Sequence, residues 1–127
     1  MFTRKQIENY RNKCESMLLD KRNWRPIDFT KDWKKWIDSI VPVPAVYVLI
    51  ANGGKIVYVG QTDDMQRRMK ELRGENRHTL RRHIGIRYIE SKLKLSYLEI
   101  RLGRLEIEKF IIDQHHPEFN NKRETQK

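Results

Sequence analysis

The 127-residue chain is 38% hydrophobic and 35% charged, which suffices for one compact core with an added N-terminal layer but not for several domains. It contains no run of about 18 apolar residues, so the sequence predicts no transmembrane helix and no membrane partner. The first residues lack the apolar stretch of a secretory signal, and the single cysteine, Cys14, excludes an internal disulfide. We therefore expect a cytoplasmic protein.

A formal net charge of +10 favours a nucleic-acid partner, because each phosphate neutralised by lysine or arginine releases counterions. Residues 66–94 concentrate this charge, with ten lysines or arginines against three acids. A solvated helical surface would account for some of them. The other interpretation is a groove wall that faces phosphates, for which the candidate DNA-binding residues are Arg67, Lys70, Arg73, Arg77, Arg81 and Arg82.

The N-terminal third is predicted to be helical. Residues 3–19 carry apolar side chains at helical spacing, and a second helix capped by Thr30 extends to about residue 40. Residues 20–30 are predicted to form a loop, in which Trp24 could stack on a base beside its basic neighbours. On the second helix, an apolar stripe favours packing for the tryptophans Trp33 and Trp36.

A Val-Pro-Val-Pro segment at 41–44 ends the second helix and marks the one internal boundary of the sequence. We divide the chain there into an N-terminal helical extension (1–43), a main domain (44–121) and a polar tail (122–127).

From residue 45 onward the pattern is that of an α+β domain. Two β-rich runs, 45–50 and 56–60, are joined by the strong hairpin turn Asn52-Gly53-Gly54. A third strand is predicted at 95–101, and a short basic helix or loop at 78–90. We expect a small three-stranded, mainly antiparallel sheet flanked by helices at 63–73 and 103–115.

The helix after the second strand places two adjacent arginines on opposite sides. At 100° per residue, an apolar face forms, and Arg68 lies at its edge while Arg67 lies on the far side. Arg68 could simply snorkel, with its stem packed and its head in water. The functional interpretation is a guanidinium directed toward a phosphate.

Glu108 occupies the apolar side of the last predicted helix, between Ile111 and Ile112 on the helical wheel. One interpretation is an Arg104–Glu108 ion pair at i,i+4, which stabilises a helix by a few tenths of a kcal/mol. The other is a partly buried carboxylate that binds a metal ion, because an apolar environment disfavours a bare negative charge.

These motifs together resemble the GIY-YIG endonuclease superfamily over residues 44–121. Ala45-Val46-Tyr47 and Tyr58-Val59-Gly60 are similar to the paired GIY and YIG motifs. In the superfamily an arginine follows the second tyrosine by ten residues, which is Arg68 here. A glutamate precedes a Pro-x-aromatic-Asn ending by nine residues; Pro117-Glu118-Phe119-Asn120 is such an ending, and the glutamate is Glu108.

Three positions bear on how closely the chain follows the superfamily. Ala45 stands where the first motif has glycine, a minor change at a strand start. Leu72 stands where members often carry histidine or tyrosine, which removes one expected polar partner. His78 resembles a histidine of some homing-type members, and the alternative is a surface histidine.

The resemblance implies a metal-dependent endonuclease that leaves 5′-phosphate and 3′-hydroxyl ends in DNA. One divalent ion, Mg²⁺ or Mn²⁺, would be held by Glu108 and waters, and Arg68 would stabilise the charge of the transition state. Tyr47 would accept the proton of the attacking water, with a pKa lowered by Tyr58, the metal and the basic surroundings. The implied catalytic set is Tyr47, Tyr58, Arg68, Glu108 and His78, and Asn120 joins the DNA-binding residues.

Two other functions stay open at this stage. A non-catalytic nucleic-acid-binding module could retain the same fold, and the basic face could serve solubility alone. Because the sequence contains no zinc finger or helix-turn-helix, we expect structure-guided or relaxed cutting, unless a protein partner supplies specificity.

Overall fold

A central antiparallel sheet organises the computed structural model, which describes residues 2–27, 33–72 and 92–120. The strands are β1 (Arg25–Pro26), β2 (Ala45–Ile50), β3 (Ile56–Thr62) and β4 (Lys94–Glu99). They lie in the order β1-β4-β2-β3, so β2 and β4 are central and β3 forms one edge. The α+β fold with antiparallel pairing is confirmed, although the sheet has four strands where three were predicted.

The additional strand comes from the segment predicted to be a loop. β1 is only two residues long and pairs antiparallel with β4, placing Arg25 opposite Leu95 and Pro26 opposite Lys94. Pro26 has no N–H to donate, which an edge strand tolerates. A strand of two residues is too short to show an alternating apolar and polar pattern in the sequence. Its pairing with β4 alone defines it as a strand.

Within the described ranges, four α-helices pack against this sheet. Their bounds are α1 (Arg4–Leu19), α2 (Trp33–Asp38), α3 (Met65–Lys70) and α4 (Arg104–His115). α1 begins with a capping box, in which the Thr3 side chain accepts from the Gln6 N–H and the Gln6 side chain accepts from the Thr3 N–H. A short 3-10 helix, Lys21–Asn23, follows α1.

The β2–β3 hairpin is the most deeply buried part of the sheet, because all six residues of β2 are buried. Gly53 and Gly54 turn the chain at φ values of 90° and 87°, a region that side-chain-bearing residues rarely adopt. The pairing shifts between Leu49 and Ile50, so that Leu49 faces Tyr58 and Ile50 faces Ile56. This bulge sets which β3 residues share a face with the odd-numbered residues of β2.

Each face of the sheet carries its own apolar cluster. One face packs against α2 and α3 and includes Tyr47, Leu49, Tyr58, Met65 and Met69. The other packs against α1 and α4 and includes Cys14, Val46, Val48, Ile107 and Ile111. Residues before position 44 contribute to both clusters and to the sheet.

The helical stripe predicted for α1 is only partly used in packing. Cys14 and Leu18 are buried at 3% and 1% exposure, whereas Ile7, Tyr10 and Met17 remain 47%, 46% and 41% exposed. The last turns of α1 therefore dock on the sheet, and its earlier turns extend over the surface.

Trp33 and Trp36 pack as predicted, and Trp24 is also partly packed, so its stacking on a base stays a prediction. Trp33 and Trp36 are partly buried against the α2–α3 cluster. Trp24 packs against the α1–α4 cluster, and its indole Nε1 donates to the Leu18 carbonyl over 3.1 Å. No helix within the three described ranges combines the length and apolar character needed to span a bilayer.

Asn120 fastens the segment after α4 to the free edge of β3. Its side-chain oxygen accepts from the Val59 N–H, and its Nδ2 donates to the Val59 carbonyl, both over 2.8 Å. The residue is only 5% exposed. It supplies the main-chain partners that an edge strand otherwise lacks.

We predict that Asn120→Ala lowers the free energy of unfolding by about 1–3 kcal/mol, because a buried N–H and a buried carbonyl of Val59 lose their partners. Urea denaturation monitored by circular dichroism measures the change. Asn12→Ala, on the exposed side of α1, is the matched control and should leave stability within about 0.5 kcal/mol of the parent. Equal midpoints for both variants would contradict the role of the amide.

Candidate active site

Tyr47 lies at the centre of the site, in the middle of β2. Its cross-strand partners are Gly60 on β3 and Tyr97 on β4. The Tyr47 ring covers Gly60 so closely that a Cβ added to that glycine would lie 2.4 Å from the Tyr47 hydroxyl oxygen and 2.5 Å from Cζ. Any side chain at position 60 would displace the ring, because the contact is with a buried aromatic group.

Tyr58 supports Tyr47 from the neighbouring strand. The two ring centroids lie 6.1 Å apart with the planes tilted by 41°, a usual arrangement for packed aromatic side chains. Tyr47 is 1% exposed and Tyr58 is 5% exposed. The tyrosines of the two motifs are therefore in one place, as their resemblance to a paired motif requires.

Arg68 reaches the same place from α3. The Asp64 side chain caps this helix by accepting from the Arg67 N–H, so the helix begins at Met65, two residues after the predicted start at 63. From the following turn, half-buried Arg68 directs its Nε to the Tyr47 hydroxyl oxygen at 3.1 Å. The position of Arg68 at the edge of the apolar face therefore brings its guanidinium to the Tyr47 hydroxyl. The head group does not simply extend into water.

Arg67 points the other way and is 58% exposed. It forms ion pairs with Asp63 and Glu71 along the surface of α3. The adjacent Lys70 is exposed as well. These cations are available to a phosphate backbone, whereas Arg68 is committed to the site.

Burial raises the pKa of Tyr47 well above its ordinary value of 10.0. The charge of an ionised Tyr58 would raise it further, and Arg68 opposes the rise through its charge and its hydrogen bond. The expectation that Tyr58 lowers this pKa is wrong, because Tyr58 raises it. The expected lowering by a basic neighbour is present in Arg68, but removal from water outweighs it.

Glu108 stands in the second turn of α4, and its side chain is half-buried. α4 runs antiparallel to β3. In its first turn Arg104 Nε donates to the Gln61 side-chain oxygen over 3.2 Å, and its last residue, His115, borders the same groove as Ile56. Glu108 therefore lies level with the middle of β3, the part of the strand that holds Tyr58 and Gly60.

A divalent cation would find one carboxylate here. Within the described part of the chain, no three histidine, cysteine or acidic side chains group closely enough to enclose a metal. Mg²⁺ commonly keeps several waters and binds one or two carboxylates plus substrate phosphates. A half-buried carboxylate such as Glu108 fits that ligand chemistry, whereas it would not fit a structural zinc site.

Several predicted residues cannot be placed. His78, Arg73, Arg77, Arg81 and Arg82 lie outside the described residues, as do Thr30 and the tail from residue 121. Asn120 is placed, and both polar groups of its buried side chain bind Val59. Its predicted contact with DNA is not what the structure gives, because burial leaves the amide no route to a phosphate.

Two residues of the site were not singled out from the sequence. Gly60 was noted only as part of the motif, although its place opposite Tyr47 in a hairpin could have signalled a close contact. An ion pair with Glu108 is one of two interpretations of Arg104 in the sequence, and the structure shows that its guanidinium also binds the Gln61 side chain and the carbonyls of Ile100 and Arg101. No sequence signal distinguishes these partners, because they come from different strands and loops.

Comparison with known proteins agrees with this geometry. The family model of the GIY-YIG catalytic domain matches residues 43–123. Among curated proteins, no sequence matches this chain significantly.

Solved structures with a similar fold include the GIY-YIG N-terminal endonuclease domain of UvrC from Thermotoga maritima bound to magnesium as its catalytic divalent cation. It has a TM-score of 0.53 and 18% identity, with 71% of this chain and 97% of that chain covered. Two point mutants of the same domain, one at a tyrosine and one at an asparagine, each bound to the catalytic cation, have TM-scores of 0.52. Their identities are 19% and 17%, over 71% of this chain and 96% of each of theirs. At such identities the likeness is one of fold.

The raised pKa of Tyr47 predicts a loss of stability at alkaline pH. In the unfolded chain the tyrosine ionises near pH 10.0, while in the folded protein it keeps its proton to higher pH. The stabilising difference is fully present below pH 10 and is lost as the pH rises toward the folded pKa, by up to about 1.4 kcal/mol per unit.

Tyr47→Phe should remove this component. Denaturation of parent and variant between about pH 9 and pH 11 should show the parent losing stability relative to the variant above pH 10. A constant difference across the range would mean that Tyr47 ionises normally in the fold.

Proposed function

Because the chain belongs to the family of GIY-YIG catalytic domains, we propose that it is a metal-dependent endonuclease that hydrolyses phosphodiester bonds in DNA. The observation that carries the proposal is the hydrogen bond from Arg68 to Tyr47 above Gly60. These three residues come from α3, β2 and β3, and core packing alone does not require an arginine to be half-buried there. The net charge of +10 is consistent with a polyanionic substrate.

Phosphodiester hydrolysis needs a nucleophile, stabilisation of the charge on phosphorus-bound oxygens and help for the leaving oxygen. We assign the second task to Arg68, whose planar guanidinium is oriented by the hydrogen bond from its Nε to the Tyr47 hydroxyl and would donate to a phosphate oxygen. The hydrogen bond fixes the orientation of the guanidinium before the substrate arrives. Preorganised donors of this kind stabilise a transition state more than mobile ones do.

We assign proton acceptance from the attacking water to Tyr47. Since burial raises its pKa, the hydroxyl is protonated at neutral pH and needs added positive charge to act as a base. A divalent cation, Mg²⁺ or Mn²⁺, held by Glu108, would supply that charge and neutralise the phosphate. Tyr58 is proposed to act by holding the Tyr47 ring, and not by easing its ionisation.

The remaining parts of the proposal follow from the family chemistry. The products would carry 5′-phosphate and 3′-hydroxyl ends, and cutting would be structure-guided or relaxed in sequence. Exposed Arg67 and Lys70 would contact the DNA backbone, together with Arg73, Arg77, Arg81 and Arg82, which lie outside the described residues. His78, also outside them, would belong to the catalytic set. Cytoplasmic placement rests on the lone, buried Cys14.

We predict that Glu108→Gln abolishes Mg²⁺-dependent nicking of supercoiled plasmid while the protein still folds and binds DNA. An amide of the same shape keeps the packing on α4 but loses the charge that binds the cation. Glu106→Gln, exposed in the first turn of the same helix, is the control and should cut like the parent.

Unchanged turnover of Glu108→Gln at saturating Mg²⁺ would remove Glu108 from the metal site. A parent that binds DNA and never nicks it, on plasmid or on branched substrates, would instead favour the non-catalytic binding module.

Arg68→Ala should lower the cleavage rate by about 10²–10³-fold, because it removes a fixed donor to the transition state. Arg67→Ala should mainly weaken DNA binding and make log affinity less steep against log salt by about one unit. Single-turnover cleavage and salt-dependent binding of both variants provide the comparison. Equal and modest effects of the two changes on the rate would contradict the division of labour between these neighbours.

A further inference from the structure

A second basic surface lies at the far end of the hairpin from the Tyr47–Gly60 contact. A groove of about 450 Å³ opens there between the β2–β3 turn, the end of α1 and the end of α4. It is lined by Leu19, Lys21, Trp24, Gly53, Gly54, Lys55, Ile56 and His115. The catalytic arrangement proposed above uses none of these residues.

The charge of this groove has one sign. Its lining contains Lys21, Lys55 and His115 and no acid. The nearest acids of α1 and the following turn are engaged, since Asp20 pairs with Arg22 at 2.7 Å and Glu15 contacts His115 at 3.0 Å. The Glu15 contact orients the imidazole, and the two exposed lysines supply the positive charge of the groove.

The shape suits a backbone better than a small molecule. Gly53 has no atom within 4 Å of where its Cβ would lie, and Gly54 approaches only Trp24 at 3.7 Å, so the floor is low and open. The Trp24 ring, held by its bond to the Leu18 carbonyl, forms a fixed apolar wall. Lysines beside an aromatic wall form the combination that contacts phosphates and sugars in nucleic-acid grooves.

The position of the groove relative to Glu108 links it to the same substrate. Glu108 and His115 are seven residues apart on α4, which is within about 20° of two full helical turns, so both lie on one side of the helix. Their separation along the axis is about 10.5 Å. At about 3.4 Å per nucleotide, that distance corresponds to roughly three nucleotides of a DNA strand.

We propose that this groove, with Lys21 and Lys55 as its cationic contacts, binds the sugar-phosphate backbone of the same DNA molecule a few nucleotides from the cut. The inference rests on the proposed endonuclease function. It extends the DNA path beyond the basic segment that follows α3, and it gives residues ahead of the family domain a part in substrate binding.

The test uses the full chain carrying Glu108→Gln, so that binding is measured without cleavage, and a duplex of about 30 base pairs, long enough to span both surfaces. Lys21→Gln with Lys55→Gln should make log affinity less steep against log salt by about 1.8 units, or ~0.9 per lost contact. The matched control is Arg4→Gln with Lys5→Gln. These residues begin α1, about 21 Å along the helix from Leu19, and should leave the slope unchanged.

Lysine acetylation read by mass spectrometry localises the contact. Bound duplex should protect Lys21 and Lys55 and leave Lys5 as reactive as in the free protein. The groove proposal is wrong if the duplex binds while Lys21 and Lys55 stay fully reactive and the double lysine variant keeps the salt slope of the parent. The endonuclease proposal would then remain intact. A parent that binds no duplex at any salt concentration overturns both.

Discussion

The contact between the Tyr47 ring and Gly60 is the constraint on which the site depends. A tyrosine in the middle of a buried strand has room for its ring only if the opposite strand yields space, and glycine at its cross-strand position supplies that space. The hairpin turn and the bulge after Leu49 set the register that brings these two residues together. One residue of slippage would turn Tyr47 toward a side chain and send alternate residues of the strand to the other face.

The same burial that fixes Tyr47 also sets its electrostatics. An almost completely buried hydroxyl keeps its proton, and the half-buried Arg68 is the cation that opposes this effect. The Tyr47 hydroxyl oxygen in turn accepts a hydrogen bond from the guanidinium, which offsets part of the free energy lost when an arginine is removed from water. In the proposed mechanism, Tyr47 therefore accepts a proton only when a bound cation adds positive charge to the site, and Arg68 is held ready to bind the phosphate of the substrate.

α4 connects the two halves of the proposed DNA path. It lies along β3, beginning at Gln61 and ending near the hairpin turn, and the segment after it returns to the strand edge through Asn120. Glu108 and His115 stand on one side of this rigid rod, so their spacing is set by helix geometry and not by loop conformation. Arg104, in the first turn of α4, binds Gln61 near the end of β3, and Asn120, just after α4, binds Val59 in the middle of the same strand.

Periodicity and motif spacing were enough to predict the hairpin, the helices that follow it and the partition of Arg67 and Arg68 to opposite sides of α3. These features are local: a repeat of 3.6 residues and a two-glycine turn are imposed by backbone geometry within a few residues. Strand β1, the buried amide of Asn120 and the Arg104–Gln61 contact depend on segments that meet only after folding. The direction of the Tyr47 pKa shift was likewise decided by tertiary structure, because desolvation depends on what surrounds a group and not on its neighbours in the chain.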